Sequence, residues 1–119
     1  MPELLALQRT HHWSVDVEVR YVEGCPNLTL TRQRLALALA AVGRSDTGVR
    51  LRLIGTAEEA QELGFVGSPT VLVDGTDPFA TTDSAAGLSC RLYRAGAAIS
   101  GSASVEQLIA ALAARLGAV

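Results

Sequence analysis

Two cysteines are the residues of this sequence with the clearest capacity for chemistry. Cys25 lies between Gly24 and Pro26, and Cys90 lies far along the chain. A thiolate attacks disulfides, reduces peroxides and binds soft metal ions. A disulfide framework or a structural zinc site needs more ligands at closer spacing. We therefore expect two free thiols.

The other polar residues that attract attention have simpler explanations. His11 and His12 are adjacent and, with Trp13, form a short polar lead-in that lacks further metal ligands. Asp74 and Asp77 stand in turn sequences, where aspartate is common. We predict no metal site and no bound cofactor.

The composition favours a single soluble domain over residues 1–119, in which residues 1–13 are a lead-in segment. The chain has a formal net charge of −2 and no cluster of basic side chains. We expect no nucleic-acid partner, because phosphate binding needs a dense patch of Lys and Arg. No apolar stretch approaches the ~20 residues of a membrane-spanning helix, so no membrane segment is expected. The first residues lack the features of a secretory signal, which predicts a cytoplasmic protein.

The first half of the chain alternates strands and helices. Residues 15–22 carry apolar side chains at every second position, which predicts a strand. Residues 26–42 carry leucines on one helical stripe, and Pro26 suits the first helical position. A second strand is predicted at 49–54 and a short capped helix at 57–63. The first two strands must be parallel, because a helix crosses between them.

The second half supplies two more strands and a last helix. Residues 70–73 form the third strand, a polar loop spans 76–87, and residues 88–94 form the fourth strand. Ser104 caps a helix that ends at Leu116. The predicted order is β-α-β-α-β-β-α, an α/β fold with a four-stranded mixed sheet. Its first and last helices cover one face of the sheet, and the short helix covers the other.

The element order and two motifs resemble the thioredoxin superfamily. The motifs are Gly-Cys-Pro-Asn-Leu at 24–28 and Gly-Ser-Pro-Thr at 67–70, and the resemblance covers about residues 15–117. It implies a thioredoxin-like three-layer fold in which Cys25 is the reactive, catalytic thiol. It also implies a cis peptide bond before the proline of the second motif. The residues that it assigns to substrate binding are Pro26, Ser68, Pro69 and Thr70.

The sequence departs from the dithiol members of that family at one position. They carry a second cysteine three residues after the first, whereas this chain has Leu28, so a Cys-x-x-Cys disulfide cannot form. The interpretation is a monothiol protein in which Cys25 forms a mixed disulfide, reacts with a peroxide or binds a soft metal. The expected partner is a protein thiol or a small thiol such as glutathione, which would act as co-substrate. The strand arginines Arg20, Arg50 and Arg52 would attract such an anion but are also typical of a solvated face.

Cys90 is the one candidate for a second thiol. Its strand phase places it with Leu88 and Leu92, so we expect a buried side chain. The third strand should run away from the active end, which would leave Cys90 in the half of the sheet remote from Cys25.

Two alternatives to the monothiol interpretation stay open. The first is a non-catalytic thioredoxin-like binding module. The second follows from residues 87–91 and the loop at 77–79, which look like those of small alkylmercury-lyase-like proteins. That resemblance implies that both thiols and an acid cleave a carbon–mercury bond, and the acid would be Asp74 or Asp77.

Overall fold

The computed structural model describes residues 14–81 and 85–117, which contain five strands and three helices. The lead-in prediction falls on residues 1–13, outside the described residues. No helix in the described part of the chain is long and apolar enough to cross a membrane. In chain order the elements are β1 (Val17–Tyr21), α1 (Leu28–Ala41), β2 (Val49–Leu53), α2 (Ala57–Leu63), β3 (Thr70–Val73), β4 (Tyr93–Ala95), β5 (Ala98–Ser100) and α3 (Val105–Leu116).

Three of the strands form one mixed sheet in the order β2-β1-β3. β1 runs parallel to β2, with Val17 opposite Val49, which confirms the parallel pair expected from the helical crossover. β3 runs antiparallel to β1, with Arg20 opposite Thr70. The end of β1 and the start of β3 therefore meet at the same end of the sheet.

Alternation along β1 and the residues after it sends side chains into two separate cores. Val17 and Val19 lie in the larger core, together with buried side chains of α1 and α3. Val22, which has the opposite phase, packs into a smaller core with Ile54 and with Ala60 of α2. Two helices thus pack on one side of β1, and the short helix packs on the other.

The predicted four-stranded sheet of the thioredoxin-like fold is wrong. The segment expected to be the fourth strand, 88–94, makes one isolated parallel bridge, between Cys90 and Ser68 in the turn before β3. Its last residues form β4, which pairs with β5 in a separate two-stranded sheet. The element order is consequently β-α-β-α-β-β-β-α.

A tight turn explains why residues 93–95 pair with the next strand and not with the main sheet. Ala95 pairs with Ala98, so Gly96 and Ala97 form a two-residue loop. Gly96 has a φ of 63°. A positive φ at the first loop position is what glycine provides in hairpin turns of the II′ type. Local pairing with β5 therefore replaces a fourth strand in the main sheet.

Helix α1 begins later than predicted. Its N-cap is Asn27 and its first residue is Leu28, so Pro26 lies in the turn before the helix. The reason is that the chain turns between Val22 and Leu28, where the Cys25 N–H bonds back to the Val22 carbonyl. These residues connect β1 to α1 and are not part of the helix.

Candidate thiol site

Cys25 lies in the turn between the end of β1 and the start of α1. Its N–H donates to the Val22 carbonyl over 3.2 Å, and its own carbonyl accepts from the Leu28 N–H over 3.5 Å. The residue is half-buried and its thiol is free. The sulfur is therefore held just beyond the carboxyl end of β1, within partial reach of a reagent.

Two groups of contacts hold the first turns of α1 and, through them, the Cys25 turn. Thr31 Oγ1 and Ser102 Oγ are both buried and share a hydrogen bond of 2.9 Å. Arg34 Nη1 donates to the carbonyls of Ser102 and Ala103, over 3.2 and 3.1 Å. The loop before α3 thus fixes the start of α1.

The turn before β3 lies beside the Cys25 turn. Ser68-Pro69 is a cis peptide bond, which confirms the expectation from the resemblance. Ser68 Oγ accepts a hydrogen bond from the Val22 N–H over 3.1 Å. Val22 therefore bonds to Ser68 through its N–H and to Cys25 through its carbonyl. This residue joins the two predicted parts of the site.

The structure places Cys90 beside the same turn. The Ser68 N–H donates to the Ser89 carbonyl over 2.8 Å, and the Arg91 N–H donates to the Ser68 carbonyl over 2.9 Å. Cys90 lies between these two residues, and its side chain is exposed. The prediction of a buried Cys90 in the half of the sheet remote from Cys25 is therefore wrong.

The error arose because the side chains of 88–93 alternate between buried and exposed in the phase opposite to the predicted one. Arg91 and Tyr93 are buried, whereas Leu88 and Leu92 are exposed. The sequence signal that favours this phase is Tyr93, an aromatic residue two positions after Arg91 and therefore on the same side of the segment. An arginine can take a buried position only if its charge is neutralised and its N–H groups are bonded.

Arg91 meets that requirement through a cluster that the sequence did not reveal. Its Nη1 lies 2.6 Å from Asp77 Oδ2 and its Nη2 lies 3.3 Å from Oδ1. Nη2 also donates to the Phe79 carbonyl over 2.8 Å, and the Phe79 ring meets the Tyr93 ring edge-on at a centroid distance of 5.5 Å. Asp77 is therefore the partner of a buried arginine and not only a turn residue.

Tyr93 closes the cluster behind the Ser68-Pro69 turn. Its hydroxyl donates to the Pro69 carbonyl. Burial raises the pKa of Tyr93 well above its usual range; Arg91 opposes this rise, and Asp77 and Cys25 add to it.

The residues assigned to substrate binding have different surroundings. Pro26 is exposed, while Ser68, Pro69 and Thr70 are buried. The Thr70 hydroxyl donates to the Gly67 carbonyl over 2.6 Å and accepts from the Arg91 guanidinium over 3.2 Å. Thr70 thus holds the turn in shape.

Asp74 lies at the opposite end of the sheet. It follows β3, whose last residue Val73 pairs with Val17 at the start of β1. Its N–H donates to the Asp16 carbonyl over 2.7 Å, and its carboxylate accepts from the Asp16 N–H and pairs with Arg115. The structure therefore separates Asp74 from both thiols.

The arginines of the strands form ion pairs with acidic side chains. The ion pairs are Arg20 with Glu18 at 2.7 Å, Arg50 with Asp16 at 2.6 Å and Arg52 with Glu59 at 3.6 Å. Among the described residues, no group of three or more His, Cys, Asp or Glu side chains could hold a metal ion. The chemistry offered by the described site is that of its two thiols.

Comparison with known proteins adds no family to this description. The chain matches no protein-family model, no curated protein and no solved structure.

Proposed function

We propose that this chain is a thiol–disulfide exchange protein that works with two thiols, Cys25 and Cys90. The observation that carries the proposal is the position of Ser68. Its side chain bonds to Val22, which also holds the Cys25 turn, and its backbone bonds to the two residues that flank Cys90. Two free thiols whose segments bond to the same turn can serve as the attacking and the resolving group of disulfide exchange.

The proposed reaction begins with attack of the Cys25 thiolate on one sulfur of a partner's disulfide. The partner's S–S bond breaks, the other sulfur leaves as a thiolate and takes up a proton, and a mixed disulfide forms at Cys25. The Cys90 thiolate then attacks the Cys25 sulfur, which releases the partner's second thiol. The partner gains two electrons, and this chain loses two in forming a Cys25–Cys90 disulfide. Two molecules of a small thiol such as glutathione would reduce that disulfide again.

The position of Cys25 supports the proposed attacking role of its thiol. The thiol precedes α1, and the first amides of a helix favour a negative charge because they have no acceptor within the helix. The motifs at 24–28 and 67–70, which resemble those of the thioredoxin superfamily, support the same assignment. A peroxide or a soft metal ion would react at the same sulfur and can be supplied as a separate reagent.

Cleavage of a carbon–mercury bond is a second candidate, and the placement of both thiols beside one turn favours it. That reaction also needs an acid to protonate the carbon that leaves. Asp77 is engaged with Arg91 at 2.6 Å, and Asp74 lies at the other end of the sheet. Thiol exchange is preferred because it needs neither carboxylate.

Alkylation of the native protein distinguishes an exchange protein from a non-catalytic binding module. The rate of iodoacetamide reaction at each cysteine is followed by mass spectrometry in the wild type, in Cys25→Ser and in Cys90→Ser. We expect Cys25 to react at near-neutral pH faster than a free cysteine, with the same rate in Cys90→Ser. If Cys25 reacts only after the protein unfolds, the chain is a binding module and the proposal is wrong.

A further inference from the structure

β2 is an edge strand of the main sheet, and the backbone on its outer side is open. The Ile54 N–H, just after the strand, donates to the Tyr21 carbonyl of β1 over 2.8 Å. Backbone groups alternate in direction along a strand, so the N–H and C=O groups of Leu51 and Leu53 point away from β1. In the described part of the chain, no strand pairs with β2 on that side. An open edge of five residues can accept an extended peptide as a further strand.

One face of this edge is apolar. In the register, Leu51 lies opposite Val19 of β1, and Leu53 lies two residues further along β2. Both leucines are therefore on the side of the sheet where α1 packs. Leu51 is nevertheless 39% exposed and Leu53 is 47% exposed. On the same side, a groove of about 440 Å³ lies between β2 and α1 and is lined by Val49 and by side chains of α1. An added strand could thus pack apolar side chains on this face.

The other face of the edge is positively charged. Arg50 is 60% exposed and Arg52 is 45% exposed. Each uses only Nη2 for its ion pairs, which Arg50 forms with Asp16 and Glu18 and Arg52 forms with Glu59. A guanidinium has further N–H groups on its other nitrogens. Both arginines therefore have donors left for carboxylates on a neighbouring strand.

These charges select against a second copy of the chain as the occupant of the edge. Antiparallel pairing of β2 with itself that aligns all five residues places Leu51 on the two-fold axis. Arg50 then lies opposite the second copy's Arg52. Like charges directly opposite each other destabilise a pair of strands, whereas opposite charges stabilise it. The partner that fits is a strand whose side chains alternate between apolar and acidic.

We propose that the β2 edge binds an extended segment of a partner protein as an added strand, and that apolar and acidic residues alternate in this segment. Its apolar side chains pack on Leu51 and Leu53, and its carboxylates pair with Arg50 and Arg52. The inference goes beyond the proposed exchange function, because neither thiol belongs to this surface.

Hydrogen exchange in the full chain tests the pairing with two probes. Both are short blocked peptides with Val at alternate positions, and the positions between carry Glu in one peptide and Lys in the other. We expect the amides of Leu51 and Leu53 to exchange rapidly in the free protein. At a Glu-peptide concentration about nine times its Kd they should exchange about tenfold more slowly, because only the free protein then exchanges. The Ile54 amide, which bonds to Tyr21, is the internal control and should be protected throughout.

The affinities of the two peptides test the role of charge. The Glu peptide should bind about tenfold more tightly than the Lys peptide at low salt, a factor that two exposed ion pairs can supply. The ratio should fall towards one in ~1 M salt. Arg52→Gln should reduce the ratio about threefold, since one of the two pairs is lost. Arg94→Gln, at an exposed arginine of β4, is the matched control and should preserve it.

Three results overturn the inference. One is unchanged exchange at Leu51 and Leu53 under saturating Glu peptide. Another is equal affinity for the two peptides, or a ratio that Arg52→Gln leaves unaltered. The third is protection of both amides in the free protein, which means that the edge already has an occupant. Protection that grows with protein concentration identifies that occupant as a second copy, and protection independent of concentration assigns it to the chain's own residues 1–13.

Discussion

At the scale of the residue, Arg91 holds the thiol site together. Its guanidinium bonds to the Asp77 carboxylate and to the Thr70 hydroxyl, and its N–H bonds to the Ser68 carbonyl. A buried charge is costly unless it is paired and hydrogen-bonded. The arginine therefore fixes the loop, the turn and the segment of Cys90 relative to one another.

Asp77→Asn removes the counter-charge of this arginine. We expect the free energy of unfolding to fall by about 3–5 kcal/mol, because a buried guanidinium is left without its carboxylate. Urea denaturation measures the loss. The matched control is Asp16→Asn, whose carboxylate pairs with the exposed Arg50; it should cost less than about 1 kcal/mol. Similar losses in the two variants would contradict the role given to the buried pair.

The raised pKa of Tyr93 predicts how stability changes at alkaline pH. Folding keeps Tyr93 protonated at pH values where an unfolded tyrosine, with a pKa of about 10, has lost its proton. The stabilisation is fully present below about pH 10 and is lost as the pH rises from there through the folded pKa. Tyr93→Phe should flatten this decline in the free energy of unfolding. An equally steep decline in the variant and the wild type would show that other groups cause it.

At the scale of the element, Gly67 allows the Ser68-Pro69 turn to contact residues 88–92. Its φ is 139°, and a Cβ at this position would lie 3.0 Å from Arg91 Cβ and 3.2 Å from Arg91 Cα. A side chain is therefore opposed both by the backbone conformation and by the neighbouring chain. The two segments can bond to each other because this position is glycine.

Gly67→Ala should lower the free energy of unfolding by more than about 1 kcal/mol. It should also speed hydrogen exchange at the Arg91 amide, which loses its bond to the Ser68 carbonyl when the segment of Arg91 is displaced. Gly48→Ala is the control, since a Cβ there meets nothing within 4 Å; its effect should stay within about 0.5 kcal/mol. Unchanged protection of the Arg91 amide in Gly67→Ala would refute the contact.

Elements with local patterns could be predicted from the sequence. The strands around 17–21, 49–53 and 70–73 follow from alternation, and α3 follows from its apolar stripe and its Ser104 cap. The hairpin of β4 and β5 could not be predicted in the same way. Both phases of 88–94 contain apolar side chains, and the turn at Gly96 lacks the strong Asn-Gly signal of a hairpin.

The candidate site, like the fold, could be predicted only where its residues belong to local sequence motifs. Cys25 and the Ser68-Pro69 turn lie at junctions between elements, where motifs are visible in the sequence. The pairing of Asp77 with Arg91 spans fourteen residues and has no fixed spacing. Only the folded chain brings the two charges together, and that pairing turns Cys90 outward.

At the scale of the whole molecule, the chemistry is gathered at one end of the main sheet. Cys25 follows β1, the Ser68-Pro69 turn precedes β3, and Cys90 pairs with Ser68 in that turn. The opposite edge is β2, where Leu51 and Leu53 are exposed although alternation places them on an apolar face. Both thiols thus lie in connecting segments that the sheet positions, which is the usual placement of reactive groups.

Whether Cys90 resolves a mixed disulfide at Cys25 is tested most directly by mass spectrometry after brief exposure to oxidised glutathione and quenching with acid. In the wild type, a glutathione adduct on Cys25 should form and then give way to a Cys25–Cys90 disulfide. In Cys90→Ser the adduct on Cys25 should persist. An adduct that is equally long-lived in both proteins, or one that forms on Cys90 alone, would contradict the two-thiol site.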